Sequence, residues 1–124
     1  MTVEQALLEL AAREPIFHRP ELGTDYGAMV TADFWEIGAS GKIYTREAVL
    51  SVLRERLKNP GEDVWAASGF QCRKLSEEYF LLHYNLVQDQ IRETRRSTLW
   101  HRTTAPAGWK IAFHQGTVVG LALV

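Results

Sequence analysis

The chain has 124 residues, of which 46% are hydrophobic and 23% charged, and its formal net charge at pH 7 is −1. This length and balance predict one globular domain over residues 1–124, with a hydrophobic core of its own. The near-neutral charge, without a basic stripe, argues against a nucleic-acid partner. No apolar run approaches the roughly 20 residues that span a membrane, so no membrane partner is expected.

The cysteine content indicates the redox state of the cellular compartment in which the protein works. The single cysteine, Cys72, excludes an internal disulfide. No stretch reads as a signal peptide, and both observations favour a reducing compartment. We therefore expect a cytoplasmic protein.

The N-terminal third is predicted to be mostly helical. Thr2 and Gln5 have capping-box spacing, and an apolar stripe follows at helical spacing: Val3, Ala6, Leu7 and Leu10. Pro15 should end this helix near residues 13–14. A short second helix is expected from Thr24 to Thr31.

A short hairpin and a third helix come next. The segment "DFWEIG", from Asp33 to Gly38, is aromatic and β-branched and predicts a strand. The tripeptide "IYT" can pair back on it. Thr45 should cap a helix with a buried stripe four residues apart: Val49, Leu53 and Leu57.

The remainder is predicted to be β structure. Four strands with short connections, at 64–75, 79–88, 94–103 and 109–118, form an antiparallel meander. Segregated helices and strands predict an α+β layer fold with helices on one face of the sheet. A curled sheet covered by helices leaves a cone-shaped cavity, where ligand pockets commonly form.

Three strings carry a family resemblance: "ADFWEIGASGKIYTREAVL" (Ala32 to Leu50), "RRSTLWHRT" (Arg95 to Thr103) and "GWKIAFHQGT" (Gly108 to Thr117). With the order of elements, they resemble the nuclear transport factor 2-like superfamily, especially its small bacterial, SnoaL-like-related domains of unknown function. The resemblance implies a cystatin-like cone of three N-terminal helices packed on a curved antiparallel sheet. It implies no single activity, because the superfamily holds isomerases, dehydratases, cyclases, hydrolases, transport factors and oligomerisation domains.

His114 is the candidate catalytic residue, because a histidine can act as acid or base near neutral pH. The sheet face to which its side chain points is not decided by the sequence. Trp109, Ile111 and Phe113 alternate, which predicts one buried face. Regular alternation would place Gln115 with that face and His114 on the other, where a dimer partner could lie.

The candidate ligand-binding residues are Tyr26, Trp35, Trp100, Arg102 and Gln115. Trp100 and Arg102 share a strand face, so Arg102 could clamp a carboxylate while Trp100 packs on the ligand body. The alternative places Trp100 in the core and Arg102 at the end of the sheet. Tyr26 lies on the segment that should cover the cone, where aromatic residues more often fill the core.

Carboxylates of the first strand are further candidates. Asp33 is expected at a cap or turn. Glu36 shares a face with Phe34, and Trp35 points the other way. A carboxylate buried in an apolar cone could abstract a proton.

No metal site and no cofactor are predicted. His83 and His101 stand in neighbouring strands, but a metal site needs three or four converging ligands. The segment "GASGK" lacks the spacing of a phosphate-binding loop. The basic cluster Arg92, Arg95 and Arg96 is interpreted as a solvated face.

Three functions remain open at this point. The leading hypothesis is a small protein that binds an apolar or aromatic small molecule in its cone. The second is an acid–base enzyme of isomerase, dehydratase or hydrolase type, with His114 as the base. The third is a homodimeric interaction module with a filled cavity. A homodimer is expected throughout, because it would cover the second sheet face.

Overall fold

The computed structural model describes residues 1–17, 24–58, 64–104 and 108–120. Its helical elements are α1 (Val3–Arg13), α2 (Arg46–Lys58) and two short 3₁₀ turns, Glu14–Phe17 and Tyr26–Met29. Its six strands are β1 (Val30–Ile37), β2 (Ile43–Thr45), β3 (Trp65–Lys74), β4 (Tyr79–Gln88), β5 (Arg92–Arg102) and β6 (Trp109–Val118).

Helix α1 forms as its sequence predicts. Thr2 Oγ1 accepts a hydrogen bond from the Gln5 backbone N–H, and the Gln5 side chain accepts one from the Thr2 backbone N–H. This capping box satisfies two of the N–H groups that a helix start leaves unpaired. Ala6 and Leu10 are fully buried, and the chain continues into the 3₁₀ turn that carries Glu14.

The second predicted helix is shorter than expected. Only Tyr26–Met29 is helical, as a 3₁₀ turn in which Asp25 Oδ1 accepts a hydrogen bond from the Ala28 N–H. Strand β1 begins at Val30, because β-branched Val30 and Thr31 favour extended backbone over a further helical turn. Asp33 is not a cap: its carboxylate accepts a hydrogen bond from the Thr31 hydroxyl within the strand.

Helix α2 matches the predicted third helix. Thr45 Oγ1 accepts a hydrogen bond from the Ala48 N–H at 3.2 Å, as an N-cap side chain does. Val49, Leu50 and Leu53 are buried, whereas Leu57 of the predicted stripe is only partly buried. The described helices are therefore two α-helices and two 3₁₀ turns rather than three helices.

The strands form one six-stranded sheet in the order β2-β1-β6-β5-β4-β3. The predicted meander from β3 to β6 is confirmed, and β4 and β6 have the predicted bounds. The hairpin β1–β2 is antiparallel, whereas β1 pairs with β6 in parallel. Helices pack on one face of this curved sheet, which confirms the α+β class.

A bulge in β6 decides which residues face the core. Leu99 pairs with Phe113 and Trp100 pairs with Ile111, so Ala112 has no partner on β5. The extra residue turns Trp109, Ile111 and His114 to the same inner face. Phe113 lies on the outer face against Trp35, with ring centroids 4.6 Å apart. The expectation that Phe113 is buried with Trp109 and Ile111 is wrong for this reason.

The described residues hold neither a membrane-spanning helix nor a metal-binding cluster. Neither α1 nor α2 has the length and apolar character to cross a membrane, and no other helix in the described ranges does. Among the same ranges, no three His, Cys, Asp or Glu side chains lie close enough together to hold a metal ion.

Candidate functional site

A cavity of about 270 Å³ lies between the inner face of the sheet, helix α2 and the β1–β2 hairpin. Part of its wall is apolar: Tyr44, Val49, Val52, Leu53, Trp65 and Ile111. Gly38, Ala39 and Ser40 of the hairpin turn also line the cavity, and the remaining side chains are polar and mostly charged: Glu36, Gln88, Arg92, Arg96, Arg56 and His114. Among these described lining residues, three guanidinium groups outnumber one carboxylate, so the wall favours an anion.

Glu36 and His114 are neighbours across the parallel strand pair. Their Cα atoms are partners in the register of β1 and β6, and both residues line the cavity. Burial raises the pKa of Glu36, and the nearby charges of Arg96 and Arg56 oppose that rise. The cavity thus places a carboxyl group with a raised pKa beside a histidine side chain.

Arg96 projects from β5 into the same cavity. Its Nε donates a hydrogen bond to Thr94 Oγ1 at 3.1 Å, and its Nη1 lies 3.4 Å from His114 Nε2. Burial lowers the pKa of Arg96, but a guanidinium starts so far above neutrality that it stays charged. Arg96 therefore places a fixed positive charge beside His114.

Behind His114 lies Glu14, a carboxyl with 1% exposure. Tyr84 Oη donates to its Oε1 at 2.8 Å, and Trp100 Nε1 donates to its Oε2 at 3.0 Å. The Thr98 hydroxyl also donates to Oε1. Burial raises the pKa of Glu14 to about 7, against the opposing effect of these hydrogen bonds and of the Arg96 charge.

Thr98 joins this buried carboxyl to the histidine. Its Oγ1 lies 2.7 Å from His114 Nδ1, while His114 Nδ1 is 3.7 Å from Glu14 Oε1. His114 itself is 7% exposed. A continuous path of polar atoms therefore runs from the cavity wall through His114 and Thr98 to Glu14.

Of the candidates from the sequence, His114 lies on the cavity wall and the five ligand-binding candidates do not line it. Tyr26 and Trp100 are buried, 5% and 1% exposed, and Trp100 reaches Glu14 instead. Arg102 is exposed at the end of β5, where its backbone N–H donates to Glu78 O. Trp35 and Gln115 lie on the outer face, because the bulge reverses the expected side of Gln115. Ligand binding by these five stays a prediction.

Glu14, Thr98 and Arg96 were missed as site residues. The sequence does contain a signal for Glu14. It follows Leu10 by four residues and Ala6 by eight, so it continues the buried stripe of α1. A carboxylate on an apolar stripe is unusual and calls for a buried partner. The interpretation of the basic cluster as a solvated face is wrong for Arg96, which is partly buried in the cavity wall; Arg92 lines the cavity but is exposed, and Arg95 is exposed outside it.

Comparison with known proteins places the fold. No protein-family model and no curated protein matches the sequence. Solved structures do match, and three of them illustrate the likeness. An NTF2-like protein of unknown function in nutrient uptake from Rhodospirillum rubrum has 20% identity and a TM-score of 0.69 over 93% of this chain and 98% of its own.

The second is an NTF2-like protein of unknown function from Pseudomonas aeruginosa, with 14% identity and a TM-score of 0.70 over 96% of this chain and all of its own. The third is an uncharacterised cystatin-like protein from Caulobacter vibrioides, with 15% identity and a TM-score of 0.68 over 96% and 89% of the two chains. Sequence identities this low establish a shared fold but do not establish a shared activity. The chain therefore has the cystatin-like fold of nuclear transport factor 2-like proteins.

Proposed function

We propose that this protein binds a small organic anion with an apolar or aromatic body in its cavity. The observation that carries the proposal is the convergence of Arg56, Arg92 and Arg96 on a cavity whose wall also has an apolar part. A volume of about 270 Å³ lies just below the roughly 300 Å³ at which ligand pockets start, so it suits only a small ligand. The apolar wall would hold the ligand body, and the guanidinium groups would hold its carboxylate.

Phenylpyruvate is a suitable first probe, because it combines an aromatic ring with a carboxylate. Titration calorimetry should show binding of phenylpyruvate and weaker binding of its uncharged methyl ester. Arg96→Gln should weaken phenylpyruvate binding about 10- to 100-fold, the effect of losing one charged hydrogen bond. Arg92→Gln should act in the same direction.

Arg95→Gln is the matched control, because it removes the same charge from the same strand. Arg95 is exposed and lines a different depression on the sheet, so its loss should leave binding unchanged. Equal affinity for acid and ester, or equal effects of Arg95→Gln and Arg96→Gln, would contradict the proposal. So would a panel of aromatic and aliphatic carboxylates in which none binds.

A second candidate function, acid–base catalysis on the bound anion, is favoured by the placing of His114 between the cavity and Thr98. Phenylpyruvate has acidic C–H groups beside its ketone, so it also reports proton abstraction. In D₂O the protein should accelerate deuterium incorporation at that carbon, as followed by proton NMR. His114→Gln should return the rate to that of buffer while phenylpyruvate still binds. Exchange at the same rate in both proteins would leave binding as the function.

A further inference from the structure

Four polar groups form one continuous path from the cavity to the core: Arg96, His114, Thr98 and Glu14. The joining distances are 3.4 Å from Arg96 Nη1 to His114 Nε2 and 2.7 Å from His114 Nδ1 to Thr98 Oγ1. Thr98 then reaches Glu14 Oε1. The positions of the protons along this path determine the state of the histidine.

The directions of the hydrogen bonds at Glu14 are set by the chemistry of its partners. The indole N–H of Trp100 can only donate, and the hydroxyl of Tyr84 donates to the same carboxyl group. Thr98 has a single hydroxyl hydrogen, and it is directed at Glu14 Oε1. Three donors on one carboxyl group suit the ionised carboxylate, the form that prevails above the Glu14 pKa of about 7.

The donors at Glu14 fix the proton on His114. Because Thr98 has given its hydrogen to Glu14, its oxygen is an acceptor towards His114 Nδ1, which must carry a proton. At the other ring nitrogen, Arg96 Nη1 can only donate. Nε2 must therefore hold a lone pair on the Arg96 side of the ring, and Arg96 lines the cavity.

From this path we infer that Thr98 and Glu14 are positioning residues, which hold His114 in the tautomer protonated at Nδ1 so that Nε2 is the base. The inference rests on the second candidate function, acid–base catalysis. In that reaction the ligand's carboxylate takes over the Arg96 guanidinium and so frees Nε2, which takes a proton from a carbon of the ligand, and the electron pair of the broken C–H bond moves to the ligand's carbonyl oxygen. The Nδ1–H of the imidazolium continues to donate to Thr98 Oγ1, and the carboxylate of Glu14 offsets the positive charge of the ring.

The reverse arrangement is disfavoured by Arg96. If Glu14 donated to Thr98, Thr98 would donate to Nδ1, and the histidine proton would move to Nε2. An Nε2–H would then point at the Nη1 hydrogens of Arg96, 3.4 Å away. The charged and titratable groups around the path are Tyr84, Arg96 and Glu36, and of these Arg96 contacts the ring directly.

Long-range ¹H–¹⁵N NMR of the histidine side chains tests the inference without any ligand. Above pH 7, wild-type His114 should show a protonated Nδ1 and an unprotonated Nε2. Thr98→Ser keeps the hydroxyl and should keep this pattern. Thr98→Val has nearly the same shape without the hydroxyl, so its His114 should show averaged shifts of two exchanging tautomers. Glu14→Gln should move the pattern in the same direction.

His83 and His101 provide internal references, because they contact Ser97 and Glu78 rather than this path. Their ring shifts should not change in any variant. A wild-type His114 protonated at Nε2 would overturn the inference, and so would an unchanged His114 pattern in Thr98→Val. If Thr98→Val fails to fold, the wild-type and Thr98→Ser spectra still decide.

The exchange assay separates this inference from the proposed function. Thr98→Val should bind phenylpyruvate as the wild type does but should lower the deuterium exchange rate about tenfold or more, the scale of a misplaced general base. Failure of all carboxylates to bind would sink the proposed function while the wild-type tautomer still decides this inference. Normal phenylpyruvate binding with Nε2 protonated would sink this inference alone.

Discussion

Glu14 is a carboxyl group that the fold buries completely and yet supplies with partners. An ionised group loses much hydration energy on burial, and hydrogen bonds and a nearby cation offset only part of that loss. Three donors contact Glu14, and the charge of Arg96 acts on it. Burial prevails, so the pKa of Glu14 is raised to about 7. The residue is thus close to half protonated at neutral pH.

Glu14 should make stability depend on pH. From pH 4.5 to about 7, the unfolded chain has lost this proton while the folded protein still keeps it. Stability should therefore fall as pH rises through this window, by about 3 kcal/mol from this group. Urea unfolding at a series of pH values should show the fall in wild type, relative to Glu14→Gln.

Subtracting the Glu14→Gln curve removes most other contributions, including that of Glu36, whose pKa burial also raises. The remaining difference reports Glu14 with its titratable neighbours Tyr84, His114 and Arg96. A difference that stays flat between pH 4.5 and 7, or that rises with pH, would show that Glu14 is not held in this state.

At the scale of elements, the bulge in β6 gives the site its geometry. One unpaired residue, Ala112, shifts the alternation so that Trp109 and Ile111 before it share the inner face with His114 after it. In a regular strand, His114 would face away from Ile111. The bulge is therefore the reason that the His114 side chain faces the cavity.

Deletion of Ala112 should be tolerated, because the shortened strand alternates regularly with the same residues inward. We expect a folded protein with a loss of about 1 to 3 kcal/mol in unfolding free energy, within the usual range for a single change. Deletion of Lys110 is the matched control. It turns Ile111 outward and Ala112 inward, so it should cost about 2 to 5 kcal/mol, as a large-to-small core substitution does. Urea unfolding compares the two, and a greater loss for the Ala112 deletion would contradict the role of the bulge.

At the scale of the whole molecule, the outer sheet face carries an apolar row across four strands. Leu81 pairs with Leu99, Leu99 with Phe113, and Phe113 with Trp35. Trp35 is 42% exposed, and the other three are half-buried. A contiguous apolar row on one face is the kind of surface that a second copy covers. The homodimer expected from the sequence remains a proposal, and this row is the surface it would use.

Leu99→Glu should convert such a dimer to monomers, because it would place two carboxylates within the apolar contact. Light scattering after size exclusion should give a dimer mass for wild type and a monomer mass for the variant. Leu8→Glu is the control: Leu8 lies on α1 with 76% exposure and should leave the dimer intact. A monomeric wild type at all concentrations would sink the proposal.

Local patterns in the sequence were sufficient for most elements. The capping box at Thr2, the alternation of Phe80, Leu82, Tyr84 and Leu86, and the meander are read from neighbouring residues. Periodicity and capping are properties of a few consecutive positions, so a single sequence displays them. His114 was also found this way, from its residue type and its place near a strand end.

The features of the fold and of the candidate site that the sequence did not predict depend on contacts between distant parts of the chain. The parallel pairing of β1 with β6, the unpaired Ala112 and the meeting of Glu14 with Thr98 have no local pattern that specifies them. By itself the sequence determined the α+β class, the strand order of the meander and a candidate histidine. Only the tertiary structure decided which face of the sheet is the cavity and which carboxyl stands behind His114. The physical reason is that one unpaired residue reverses every side chain after it, and a buried carboxyl gains its partners only when helix and sheet pack together.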